Sequence, residues 1–312
     1  MKKSKNDMEY NLPDRIKTKL NGWTPFLMLV PAVGSILLIS IYPTVRTIIM
    51  SFFDRSLLRE EEPFVGLQNY IEALSNNGIW QTIFNTLFFA IVSLVLAVAL
   101  AMYVATKLIK PLPGRGFLRA LFLTPWVTPP LVAAFVWRFI FSESFSPINT
   151  ILLRLNLVEN PVNFLGSTET FLGLSIPLIM LTIINVWSIF PFLMVMFISG
   201  LQTVPQEIYE AATIDGAGKI VTFWRITVPC IRPVITTSII LELIWQFNNF
   251  NISYMVTNGG PLGLTKTLAV EVYQQAFTNF RYGYASAISI IMMLIALVPS
   301  IFYIRSSIRT SN

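Results

Sequence analysis

Six stretches of this chain run for about the length of a membrane crossing with almost no charge. They are residues 25–43, a run within 80–106, 120–137 between Arg119 and Arg138, 170–206, 233–256, and 282–304. A helix that crosses the hydrocarbon core needs about 20 mainly apolar residues. One such stretch could be a buried helix of a large soluble protein; six in 312 residues predict a polytopic membrane protein. Composition agrees. Only 12% of residues are charged, against about 25% in a soluble domain, which leaves too little charge to cover a water-facing surface. The mean hydropathy of +0.65 excludes a disordered chain as well. The first stretch begins beyond residue 24 and is long, so it reads as a retained span and not as a cleavable signal.

Loop charges predict the orientation. The N-terminal tail, the 2–3 and 4–5 loops and the C-terminal tail hold 15 of the 22 Lys and Arg residues. Basic loops stay on the cytoplasmic side, so both termini are expected inside. The net charge of +6 follows from this asymmetry and does not point to nucleic acid. Before the first span, Ile16, Leu20 and Trp23 recur at helical spacing among Arg15, Lys17 and Lys19. This predicts an interfacial helix on the inner leaflet. Pro125, Pro129 and Pro130 crowd the third span and predict a kink there.

Little covalent chemistry is available. The chain has no His and one cysteine, Cys230, which excludes a Ser-His triad, a His-based metal site and an intrachain disulfide. No catalytic residue and no metal ligand is assigned. Gly216-Ala-Gly-Lys219 is not a phosphate loop. That motif needs a Gly five residues before the Gly-Lys pair and a Ser or Thr after it, where Thr213 and Ile220 stand.

The 4–5 loop, about residues 204–229, predicts two short helices in an L. Pro205 and Glu207 suit a helix start, Asp215-Gly216 a stop, and Lys219–Val228 a second helix ended by Pro229. Ala211 and Ala212 are small enough for another surface to approach. The loop either packs on its own helices or docks a partner.

In the fifth span, Ser238, Glu242, Gln246, Asn249 and Ser253 recur at helical spacing and form one polar stripe. A stripe facing lipid would be costly, so it must face protein or water. It is then either interhelical hydrogen-bond glue or the lining of a solute path, with Trp245 and Phe250 at its flanks. Glu242 is open to both roles, a buried structural acid or a solute contact.

Glu210-Ala211-Ala212, Asp215-Gly216-Ala217 and Val228-Pro229 resemble the EAA loop of binding-protein-dependent ABC importer permeases. Val65-Gly66-Leu67-Gln68-Asn69-Tyr70 and Thr257-Asn258-Gly259-Gly260-Pro261 are similar to the carbohydrate-uptake, MalF-type branch. The resemblance implies an all-α integral membrane protein of the type I importer permease (MetI/MalF-like) fold, with six transmembrane helices, N-in and C-in. Its parts would be a tail at 1–24, a permease domain at 25–305 and a tail at 306–312. It also implies a sugar permease subunit in a bacterial or archaeal cytoplasmic membrane. The implied partners are a MalG-type second permease, two ATPase subunits and an extracytoplasmic solute-binding protein. ATP-Mg would sit on the ATPases, and no cofactor on this chain. Glu207, Glu210, Ala211, Ala212, Asp215 and Gly216 would couple to the ATPase. Glu242, Gln246, Asn249 and Ser253 would line the path, with Asn249 at the place of a sugar-contacting Asn. The alternative is a secondary transporter or channel for a polar solute. Such proteins commonly hold several ionisable groups in the membrane, where only Glu242 qualifies here.

Overall fold

The computed structural model describes residues 24–59 and 61–310. The expected interfacial helix lies outside the described residues. Two units are distinguished, one ending at Ile49 and one beginning at Met50. The first contains nearly all of α1 (Phe26–Met50), which runs past the expected end at residue 43. A π turn, Leu37–Ile41, precedes Pro43, so the proline falls in the first turn of the segment that follows and does not stop the helix.

The second unit begins with the short α2 (Gln68–Ser75) and the long α3 (Asn77–Leu108). Asn76 caps α3, its side chain accepting from the Gly78 N–H at 2.8 Å. One face of α3 is lined with small residues, among them Ala90, Ser93, Ala97, Ala101 and Ala105, all fully buried. They let α7 (Ile176–Gln202) lie close along it, the most extensive helix contact in the molecule. Leu193, Met194, Phe197 and Leu201 of α7 complete the largest apolar core with Leu94 and Leu108.

The third stretch is not one continuous helix. It is α4 (Arg115–Val127) and α5 (Pro130–Ile140), which meet at 97°. Thr128 and Pro129 are extended, with ψ of 124° and 135°. A residue before proline is pushed out of the helical region, and Pro129-Pro130 imposes this twice in succession. After α6 (Pro147–Arg154) the fourth stretch also departs from expectation at its start. Residues 170–175 form a hairpin of β1 (Thr170–Phe171) and β2 (Leu174–Ser175), antiparallel, with Thr170 opposite Ser175. Leu172 and Gly173 both have positive φ, as a two-residue hairpin turn requires, so α7 starts at Ile176.

The loop between α7 and the next span folds as α8 (Gln206–Ile214) and α9 (Lys219–Cys230). Pro229 does not end α9. The helix passes through it after a π turn, Phe223–Thr227, and stops at Ile231, where α10 (Arg232–Phe247) leaves at 71°. Gly200 permits the crossing of α7 and α10, because a β-carbon there would meet Val234 at 3.2 Å.

The expected fifth span is likewise broken. α10 ends at Phe247 and α11 (Asn251–Thr257) begins after Asn248-Asn249-Phe250. Asparagine side chains compete with the backbone ladder. Asn248 Nδ2 donates to the Ile244 carbonyl at 3.0 Å and closes the helix end. The Gly-Gly-Pro segment then forms a folded loop before α12 (Leu268–Tyr273) and α13 (Tyr282–Thr310). By length and composition the described helices include four candidate spans, or six when each bent pair is counted as one.

Candidate functional site

The breaks at 128–129 and 248–250 face a common cavity of about 430 Å³, walled by α4, α5, α7, α10 and α11. Its polar wall comes mainly from α10 and the break that follows it, backed by Asn185 from the middle of α7, which is fully buried and does not itself line the cavity. Glu242 and Gln246 lie one turn apart on α10, each 3% exposed. Asn249 comes from the break itself.

Their side chains form one relay. Asn249 Nδ2 donates to Asn185 Oδ1 at 3.0 Å and to Gln246 Oε1 at 3.3 Å. Asn185 Nδ2 donates to Gln246 Oε1 at 2.6 Å. Gln246 Nε2 donates to Glu242 Oε1 at 2.7 Å. Glu242 Oε2 accepts from no described residue. Such a wall offers both donors and acceptors to an uncharged polyhydroxylated molecule. Trp126, Trp187 and Trp245 also line the cavity, among smaller apolar residues and the polar Thr128, Ser188, Asn248 and Asn251, and further rings pack behind them. Phe192 packs between Trp126 and Trp245, at 6.1 and 5.2 Å, and Trp187 stands edge-on to Trp137 at 5.5 Å.

The residues of the polar stripe therefore divide. Glu242, Gln246, Asn249 and Trp245 line the cavity. Ser238 donates to the Val234 carbonyl of its own helix at 2.7 Å. Ser253 donates to the Thr265 carbonyl at 2.7 Å and ties down the Gly-Gly-Pro loop. Phe250 turns away and stacks on Tyr254 at 4.5 Å. Asn185 was not among the expected residues. Its signal was there: it is the one amide in α7 before the terminal Gln202. A second buried acid was also missed. Glu271, 7% exposed, pairs with Lys266 at 2.9 Å and accepts from Gln275 Nε2 at 2.8 Å.

The α8 loop is built differently. Glu207, Glu210, Ala211, Asp215 and Gly216 are exposed, while Ala212 is buried against the chain itself. Gln206 Nε2 donates to Glu210 Oε1 at 2.9 Å. The helix ends in a Schellman motif, with Ala217 N–H donating to the Ala212 carbonyl and Gly216 N–H to the Thr213 carbonyl. Gly216 has φ +72° and open space around it. The left-handed conformation, rather than lack of room, calls for glycine there. Glu207, Glu210 and Ile214 share one face, and Ile214 is 86% exposed.

Residues 97–310 match the family described as "Binding-protein-dependent transport system inner membrane component". The trehalose/maltose transport system permease protein MalF of Thermococcus litoralis is 34% identical, over 96% of this chain and 98% of its own. The sulfoquinovosyl glycerol transport system permease protein SmoG of Agrobacterium fabrum is 32% identical, over 92% and 90%. The fold is shared with a chain of a bacterial ABC transporter involved in alginate import, at TM-score 0.77 and 21% identity over 93% of this chain and 96% of that one. A helical bundle with breaks around a half-open, partly polar cavity, and a match over most of its length, lead to one assignment: the chain belongs to the binding-protein-dependent transport system inner membrane components, as a multi-pass membrane part of a transporter and not an enzyme.

Proposed function

We propose that this chain is one permease subunit of an ATP-driven sugar importer and forms half of its translocation path. The observation that carries the reading is that Glu242, Gln246 and Asn249, tied together with the buried Asn185 by hydrogen bonds, line a cavity that three indole rings also line. Sugar hydroxyls need paired donors and acceptors, and the apolar face of a pyranose suits an aromatic ring. Buried amides and a carboxylate would be costly in a membrane helix without partners. The transport systems named for the similar permeases carry glycosides, which supports the substrate class.

In this reading all six spans cross the membrane with both termini inside, in a permease domain at 25–305 flanked by tails at 1–24 and 306–312. A second, MalG-type permease supplies the other wall. Two ATPase subunits bind ATP-Mg, and a solute-binding protein outside the membrane delivers the sugar. α8 docks on an ATPase through Glu207, Glu210, Ala211 and Ala212, and the Asp215-Gly216 turn fixes its angle to α9. ATP-driven closure of the ATPases pulls the coupling helices together and opens the cavity outward; hydrolysis resets it. Ser253 acts from behind the cavity by holding the Gly-Gly-Pro loop.

The test is reconstitution. The chain with its partner permease, ATPases and binding protein should take up sugar only with ATP. Glu210→Lys should insert and assemble yet lose sugar-stimulated ATP hydrolysis. ATP-independent uptake by this chain alone in liposomes would contradict the reading and favour a secondary carrier or channel.

A further inference from the structure

A second cavity of about 870 Å³ lies at the other end of α3 from its Asn76 cap. Its walls are the last turn of α3, the end of α7, one face of α8 and the start of α9. Three cations line it: Lys107 from the last turn of α3, Lys110 two residues beyond its end, and Lys219 from the start of α9. No carboxylate does. Glu207 and Asp215 of the α8 loop are not among the lining residues, whereas Gln206, Tyr209 and Thr213 are. α8 therefore divides its faces between an acidic outer side and a side turned to this cleft.

None of the three lysines is in an ion pair among the described residues. Lys107 has only the ring of Tyr103, at 5.4 Å. The hydroxyls of Thr213 and Thr222 donate to backbone carbonyls of their own segments, while the Tyr209 hydroxyl has no described partner. A wide cleft with three unpaired ammonium groups and no acid is an electrostatic trap for an anion. α3, about 48 Å long by its 32 residues, exceeds a hydrocarbon core about 30 Å thick, so part of it must extend beyond that core.

We propose that this cleft binds a phosphate-bearing anion, supplied either as the headgroup of an anionic phospholipid or as a soluble phosphate ester. Bound there, the anion would tie the end of α3 to the start of α9 and so brace the loop that carries α8.

The experiment uses the assembled transporter, with no sugar present, so that its outcome is independent of the transport reading. One arm measures retained phosphatidylglycerol against phosphatidylcholine by native mass spectrometry after exchange into mixed vesicles. The other titrates inorganic pyrophosphate in phosphatidylcholine vesicles by calorimetry. Preference for phosphatidylglycerol identifies the lipid source, and pyrophosphate binding the soluble one. In either case each Lys→Gln change at 107, 110 and 219 should weaken binding about fivefold, and all three roughly a hundredfold. The triple Lys→Arg variant should bind like the wild type. Absence of both ligands, or equal binding by the triple Gln variant, overturns the proposal. If neither probe binds and the triple Gln variant instead loses its basal ATP hydrolysis, the lysines face a protein carboxylate, and the proposal is likewise overturned.

Discussion

Two Gln–Glu pairs, four residues apart on short stretches of helix, make the same hydrogen bond in opposite surroundings. On α8, Gln206 Nε2 donates to Glu210 Oε1 at 2.9 Å in the open. On α10, Gln246 Nε2 donates to Glu242 Oε1 at 2.7 Å, with both residues 3% exposed. The first pair exchanges its partners with water at little cost. The second has few alternatives, so losing one member strands the other in a low dielectric. The difference teaches that the cavity wall is a stability element as well as a candidate solute contact, whereas the exposed face of α8 contributes little to the chain's own stability.

The largest effect should come from the centre of the relay. Asn185→Leu removes the acceptor of Asn249 and a donor to Gln246 at once. It should destabilise the chain in detergent by about 2–3 kcal/mol, read from thermal unfolding, and abolish uptake. A stable, transporting variant would break the comparison on its buried side.

Next is Gly216→Val. The position holds φ +72°, and a left-handed conformation costs an L-residue roughly 1–2 kcal/mol. The expected outcome is normal insertion with loss of sugar-stimulated ATP hydrolysis, because α8 would leave α9 at another angle. Gly216→Asn, which tolerates this conformation better, should recover part of the activity.

Double-mutant cycles sharpen the contrast directly. The Glu242–Gln246 coupling energy should be about 1.5 kcal/mol, near the upper end of side-chain couplings measured in membrane helices. The Gln206–Glu210 coupling should be about 0.3 kcal/mol, as for an exposed helical pair. Equal values would show that burial is not what separates the two regions. The smallest effect belongs to Glu210→Gln, under about 0.5 kcal/mol in stability.

The sequence made much of this visible, for physical reasons that differ by residue. Long uncharged runs announce membrane helices because lipid tolerates little else, so α3, α7 and α13 stand close to where they were expected. Glu242, Gln246 and Asn249 stood out as polar groups in an apolar helix. Asn185 did not, because a single amide in a long apolar run carries no periodicity. Proline marked the α4–α5 corner, but a missing donor does not say how far the chain will turn, and the 97° bend exceeds a kink. The α10–α11 break was hidden for the opposite reason. Asn249 fits the polar stripe of a continuous helix, yet the side chains of Asn248 and Asn249 end it by bonding to Ile244 and Asn185. Pro229 was the converse case: a helix breaker on paper, accommodated by the π turn before it.

The central claim is that Glu242, Gln246 and Asn249 line a solute path and are more than glue. The most direct measurement is thiol accessibility in the assembled transporter, after Cys230 has been replaced, with single cysteines placed along 238–253. In the outward-open, ATP-trapped state, cysteines at 242, 246 and 249 should react with a small hydrophilic thiol reagent added from outside. Those at 238 and 253 should not, and added sugar should slow the three that react. Uniform protection at 242, 246 and 249 in every state, or reaction indifferent to sugar, would contradict the account and leave the relay as structural bonding alone.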